Sequence, residues 1–557
     1  MPCLFGRRCL LASVILVALL PRPATAQANP GLPLLREQEQ ETRELRREQQ
    51  LRRLDSPTIG APDEPTPTIS GNAHCWPIRA VKLAGSTLLK SRTLRERLDA
   101  LLPPCMTETH LNELLKGITR LYLAQGYLGS RPYLASPPQN GTLEIIIVEG
   151  FVESVEFDDP SLPLSLSRAF PDLLGKPLKL GDLEQGLWQM NRLQSVDLSA
   201  DLEPGSMPGG TRVVIRSQRA RTSRLRLLGS LDNNGNALVG RGQYGLQLGI
   251  DSPLEQNDFF ALYSTSSLPG SPGNSHRLGL SYSIPQGPWT FSLNAVRLHY
   301  RAPLPASHRV TEGRIDLYSI KLENTFRYLN TLQFDYSLQL GQKHADTRLS
   351  HSRIKFQSPT VTVVDADVTL SWRDDAIWSI ALGYSQGLTW FGADTQRFNS
   401  RSPEPQFRKY RATLWQRRES MNPGRRWRWD SELALQFSPD PLVALEHIAI
   451  GDASAVRGFR DSGVSDSSGA VWRNTLSLPL NTALPLEIRP FLGLDAGWSR
   501  FDHGAPSQRL LGMSTGLELS RPDARLRLDY QRALHNDNTP RHALEPGHWR
   551  AQLTLVF

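Results

Sequence analysis

From about residue 224 to residue 557, apolar and polar residues alternate one for one between clusters of turn residues. In LQFDYSLQL, Leu332, Phe334, Tyr336, Leu338 and Leu340 fall on one face, and Gln333, Asp335, Ser337 and Gln339 on the other. A period of two is the mark of a strand with unlike faces. The last nine residues repeat it, with Trp549, Ala551, Leu553, Leu555 and Phe557 alternating with Arg550, Gln552, Thr554 and Val556. Further such segments lie at 243–250, 258–266, 276–284, 377–390, 427–437, 510–519 and 524–533. Counting all candidates predicts 16 strands, an even number, many with the length of a tilted transmembrane strand. A soluble β-sandwich would also alternate. Strands this long and numerous, with aromatics near their ends, favour a closed membrane barrel.

Upstream the period changes. Residues 34–54, LLREQEQETRELRREQQLRRL, are strong helix formers with few apolar positions after Leu35. Such a helix would be ~30 Å long, and polar on all sides it is either solvated or lodged in polar surroundings. Taken alone, the segment reads most simply as a solvated helix. Residues 55–74, with four prolines, read as an extended linker. Two modules of strand-helix-helix-strand-strand order follow. The first has a strand at 78–83, helices at 93–102 and 108–125, and a two-stranded finish ending in TLEIIIVEG. The second has a strand at 152–157, helices near 164–174 and 182–193, and strands near 196–202 and 212–216.

Arg7 and Arg8, the apolar run 10–20 and the small-x-small triplet Ala24-Thr25-Ala26 form a secretory signal sequence. Export bears on the cysteines: Cys3 and Cys9 leave with the signal, and an oxidising compartment favours pairing Cys75 with Cys105. A metal site with His74 and His110 is the alternative, but the irregular spacing does not suit zinc. The net charge of +8 is spread along the chain, which suits anionic lipid headgroups better than nucleic acid. Catalytic patterns are scarce. Residues 512–516 spell GxSxG, but Ser514 falls mid-strand and not at a strand-to-helix elbow. No HExxH and no GxxxxGK[ST] occurs, so neither enzyme, metal nor nucleotide cofactor is expected.

One segment breaks the alternation: SAVRGFRDSG, which carries Val456, Arg457, Gly458 and Phe459. In the later strand LEIRPFLGLDAGW, Leu492, Leu494, Ala496 and Trp498 share the lipid face, so Phe491, Gly493, Asp495 and Gly497 face the lumen. The two glycines leave room for a segment to approach the wall. A carboxylate there gains most from a guanidinium fork, and Arg457 is a candidate. On composition alone, a hydrated Asp495 and a surface Arg457 remain the simpler pair of readings.

The chain resembles the two-partner secretion outer-membrane transporters, the TpsB or haemolysin-activator family of polypeptide-transporting barrels. AIGDASAVRGFRDSG resembles the family's Gly-rich approach to a VRG-[FY] loop tip, although GDAS stands where many relatives carry GGxxS. GLDAG resembles its lumen-facing strand, GSLDNNGNALVGRGQYGLQLGIDSPLEQND its first barrel hairpin, and Phe557 its terminal assembly signal.

The resemblance implies a mainly β fold: a 16-stranded transmembrane barrel in the bacterial outer membrane, two periplasmic polypeptide-transport-associated (POTRA) modules, and a plug helix. Domains would run 1–26 (signal peptide), 27–54 (plug helix), 55–74 (linker), 75–150 and 151–218 (modules), and 219–557 (barrel). It implies that Arg457 pairs with Asp495 and that an unfolded client protein docks on the modules and crosses without nucleotide. Partners would be that client, outer-membrane lipids and the barrel-assembly machinery, with no nucleic acid. An assembly factor of the same superfamily is the alternative, and fewer modules, a plug helix and a Pro-rich tether favour secretion.

Overall fold

A computed structural model of the chain describes residues 29–37, 39–40, 43, 47, 75–89, 103, 105–136, 141–218, 222–304, 309–328, 332–397, 402–420, 422, 426–480, 485–500 and 507–557. The expected signal sequence, the linker at 55–74, His74 and the helix at 93–102 lie outside the described residues.

Each module wraps an apolar core with a three-stranded sheet. In the first, Ala80–Ala84 pairs in parallel with Thr142–Val148, which pairs antiparallel with Arg131–Leu134. The second repeats this order, with Phe151–Phe157 and Leu198–Pro204 flanking Gly210–Ser217. Alternation explains the layering: Leu143, Ile145 and Ile147 are buried with Leu114, Ile118 and Tyr122 of the helix Glu108–Ala124. The helix expected near 164–174 contracts to Leu166–Ala169, because Pro171 follows and Asp172 adopts a positive φ of 58°. Cys75 and Cys105 are disulfide-bonded, next to a strand-like bridge between Trp76 and Met106.

Sixteen long antiparallel strands, from Leu225–Asp232 to His548–Val556, close into a barrel. The short pair Ser352–Arg353 extends one outer hairpin. Outward positions carry exposed apolar side chains such as Leu246, Leu280, Ile320, Leu338, Leu382 and Leu494. No helix among the described residues is long and apolar enough to cross a membrane; the outward apolar belt of the closed strands is what suits a bilayer. Closure pairs Leu228–Asp232 positions with 552–556 over five residues, and the Phe557 N–H donates to the Leu227 carbonyl at 2.8 Å.

The second module is bolted to the barrel's short turns at one end. Ser165 N–H donates to Asn257 Oδ1 at 2.9 Å while Asn257 Nδ2 donates back to the Ser165 carbonyl at 2.7 Å. Buried Gln189 donates to the Gly287 carbonyl at 2.8 Å. These contacts hold the second module at one mouth of the pore.

The N-terminal polar helix, described at 32–37, 39–40, 43 and 47, lies inside the barrel. Leu32, Leu34 and Leu35 pack on lumen-facing Leu298, Tyr300, Ala302, Ile315 and Ala345. Arg277 Nη1 donates to the Leu34 carbonyl at 2.7 Å.

Candidate functional site: a folded-back loop and its seat

The connection after the strand Trp427–Phe437 crosses back into the lumen instead of staying outside. Ile448–Gly451 and Val464–Asp466 form a short antiparallel pair, and residues 452–463 make its tip. Val456, Arg457 and Phe459 are essentially inaccessible, with relative exposures of 0%, 1% and 2%. Val456 and Phe459 join Ile450, Val471, Leu510 and Ala533 in an apolar cluster between the loop and the wall.

Arg457 meets Asp495. Its Nε donates to Oδ2 and its Nη2 to Oδ1, both at 2.5 Å, and its own N–H adds a third bond to Oδ2 at 3.1 Å. Nη1 donates to Thr475 Oγ1 at 3.1 Å and Nη2 to the Asn474 carbonyl at 2.7 Å. Asp495 also accepts from the Asn474 N–H at 3.3 Å. Two fully buried charges survive only when paired and hydrogen-bonded in this way, and removing one partner costs about 3–5 kcal/mol.

The seat is made by missing side chains. A Cβ on Gly493 would sit 2.3 Å from Arg457 Nη1, and one on Gly497 2.7 Å from Ile450. The neighbouring strand completes it: Asp495 is paired with Gly512, where a Cβ would lie 1.8 Å from the Arg457 carbonyl oxygen. Gly458 has a positive φ of 97° and rests against the backbone of Arg532 and Ala533. Its N–H donates to Gln531 Oε1 at 3.3 Å. Phe491 lies two residues from Gly493 on the same face, paired with Gly516, with the Arg527 guanidinium 4.4 Å from its ring centroid.

Thr475, Gly512, Ser514 and Gln531 escape the sequence reading of the site. The signal for two of them was present in GxSxG, which belongs to the strand Gln508–Ser520. Read with a period of two, Gly512, Ser514 and Gly516 face the lumen beside Gly493, Asp495 and Phe491.

Two more contacts fasten the loop. At its root, buried Glu446 pairs with Lys343 at 2.6 Å and Lys409 at 2.5 Å, from two other parts of the wall. At the start of the tip, Asp452 accepts from the Ser454 N–H at 2.9 Å and pairs with Arg36 of the lumen helix at 3.4 Å. Farther along that helix, Arg47 pairs with Glu432 at 2.9 Å and stacks 4.8 Å from the Trp415 ring centroid. No cluster of His, Cys, Asp or Glu suited to a metal occurs among the described residues. The site is a fastening, with buried charges holding the loop against the wall.

Residues 209–519 match the family model described as haemolysin secretion/activation protein ShlB/FhaC/HecB. Residues 76–150 match a ShlB-type POTRA domain and residues 151–204 a second POTRA domain. The hemolysin transporter protein ShlB of Serratia marcescens is 33% identical, over 85% of this chain and 85% of its own length. The hemolysin transporter protein HpmB of Proteus mirabilis is 30% identical, over 88% of this chain and 89% of its own. In fold, the structure of CdiB from Escherichia coli superposes with a TM-score of 0.85 at 22% identity, covering 96% of this chain and 100% of that one.

Proposed function

This chain belongs to the ShlB/FhaC/HecB family of haemolysin secretion and activation proteins, and on that premise we propose how its lumen serves transport. It is an outer-membrane transporter of two-partner secretion, a β-barrel with periplasmic POTRA modules that passes an exoprotein to the cell surface. The finer reading concerns the parts. The modules, taken as 75–150 and 151–218, receive an unfolded client by strand addition at a sheet edge. The helix in the lumen keeps the pore shut until the client arrives, and the barrel, 219–557, then conducts it. Folding outside supplies direction, since a folded chain cannot return through the lumen. The barrel-assembly machinery reads Phe557, whose side chain is exposed.

The observation that carries this reading is the seated loop: Arg457 buried against Asp495 in a glycine-floored slot inside the pore. A passive pore has no use for so specific a fastening. The test is client delivery. Cells making the chain and the exoprotein encoded beside it should place that exoprotein on the surface or in the medium, and cells lacking the chain should retain it in the periplasm. Normal export without the chain, together with depleted barrels of other kinds, would instead indicate an assembly factor.

A further inference from the structure

The three longest barrel strands, Trp289–Pro303, Val310–Tyr328 and Leu332–Leu349, are neighbours and run past the apolar belt on the outer side. Their outward faces change character at one height. Below it stand Leu293, Ile320 and Leu338. Above it come three polar rungs set by strand register: Arg297–Asp316–His344, then His299–Arg314–Asp346, then Arg301–Glu312–Arg348. The inward faces invert together with them, because Leu298, Tyr300, Ile315 and Ala345 grip the lumen helix there. Two residues advance a strand by about 7 Å, so three rungs reach well beyond the hydrocarbon into the headgroup layer.

The arginines are paired with neighbouring carboxylates yet stay open to solvent. Arg297 Nε lies 2.6 Å and Arg314 Nε 2.8 Å from Asp316, and Arg301 Nε lies 3.0 Å from Glu312. Even so, the side chains of Arg297, Arg301, Arg314 and Arg348 keep 51%, 58%, 46% and 55% of their exposure. Beyond the last rung lies a hollow of about 600 Å³ whose lining includes Arg309, Arg353, Lys355 and the exposed ring of Phe356. Rungs and hollow together bring seven cations (Arg297, Arg301, Arg309, Arg314, Arg348, Arg353, Lys355) against three carboxylates (Glu312, Asp316, Asp346).

We propose that this rim binds the phosphate-bearing headgroups of outer-leaflet lipids. Guanidinium forks match phosphate oxygens in a bidentate fashion. A lipid fits better than a soluble anion because the apolar belt continues directly beneath, with Tyr318 and Leu340 placed for acyl chains. Through these strands a bound headgroup would brace the part of the wall that holds Leu32, Leu34 and Leu35.

The test uses full-length protein in detergent, with lipid A as the probe and retention after washing read by native mass spectrometry. The triple variant Arg297→Gln, Arg301→Gln, Arg348→Gln leaves Asp316 with Arg314 and Asp346 with Arg353, and only half-exposed Glu312 loses its partner. Retention should fall at least about tenfold, given roughly 1 kcal/mol for each basic residue at a charged surface. Arg509→Gln, exposed on the far wall, should leave it unchanged. Heat-modifiable mobility verifies the barrel. If the Gln variant fails to assemble, Lys at the same three positions must still lower retention severalfold, because an ammonium lacks the fork. Equal retention by the assembled variant, or displacement of lipid A by inorganic phosphate alone, overturns the proposal. Either result leaves the secretion reading untouched.

Discussion

At the scale of single residues, the site is defined as much by absent atoms as by charges. Arg457 reaches Asp495 only because Gly493, Gly497 and Gly512 leave the wall bare. Gly512→Ala should therefore unseat the loop without touching either charge, since its Cβ would meet the Arg457 carbonyl oxygen, a backbone atom. We expect it to reproduce the secretion defect of an Arg457 substitution, with a rise in protease sensitivity within 452–463 that immunoblotting would detect. Parent-like secretion and protection would show that the slot tolerates a methyl group. The direction of Asp495 was legible from alternation alone, because a single phase error would have turned it to lipid. Gly512 was not, because GxSxG attracts a catalytic reading before a lumenal one. The contact was not legible from alternation, because Arg457 and Asp495 are 38 residues apart and join only where the loop returns into the lumen; the family resemblance is what implied it.

At the scale of elements, each piece shows where local pattern suffices and where surroundings decide. The module strands and the helix Glu108–Ala124 follow their periodicity closely. The barrel strands do so too, but on Leu332–Leu349 the polarity inverts partway although the phase does not. Leu338 faces lipid and Ala345 faces the lumen helix, so hydropathy alone cannot set the strand's length. The first module also carries a pH response. Partial burial pushes the Glu149 carboxyl up, but hydrogen bonds from the Thr87 hydroxyl, the Leu88 N–H and the Tyr122 hydroxyl outweigh it and hold it below its usual 4.5. A depressed carboxyl stabilises the fold above its unfolded value, and that stability is lost as pH falls through the folded value. Amide exchange in 80–89 and 142–149 should thus be steady from pH 7 to about 5, once corrected for intrinsic rates, and accelerate in more acid solution. Glu149→Gln should remove the acid-dependent step and cost about 1–2 kcal/mol through the bonds it accepted. A variant that keeps the step would place its origin elsewhere.

At the scale of the whole molecule, three bodies interlock: modules bolted to periplasmic turns, a helix in the pore, and a loop seated against the wall. The helix meets each neighbour through charge, with Arg36 on Asp452 of the loop and Arg47 on Glu432 of the wall. Its polar sequence is thus matched to a polar lumen, which sequence alone could not separate from a solvated helix. Reversing both charges, Arg36→Glu with Arg47→Glu, should weaken plugging and raise single-channel open time in planar bilayers severalfold. Unchanged conductance would mean that Leu32, Leu34 and Leu35 hold the helix without them.

Secretion requires the fastened loop and not merely the barrel. The most direct measurement is client secretion by Arg457→Ala, made beside heat-modifiable mobility of the same membranes. The barrel should assemble at parent levels, because its sixteen strands pair without the loop, and secretion should fall at least about tenfold, in line with the ~3–5 kcal/mol of a broken buried pair. Secretion at the parent level from an assembled barrel would contradict that requirement, and loss of the barrel would make Arg457 a residue of assembly.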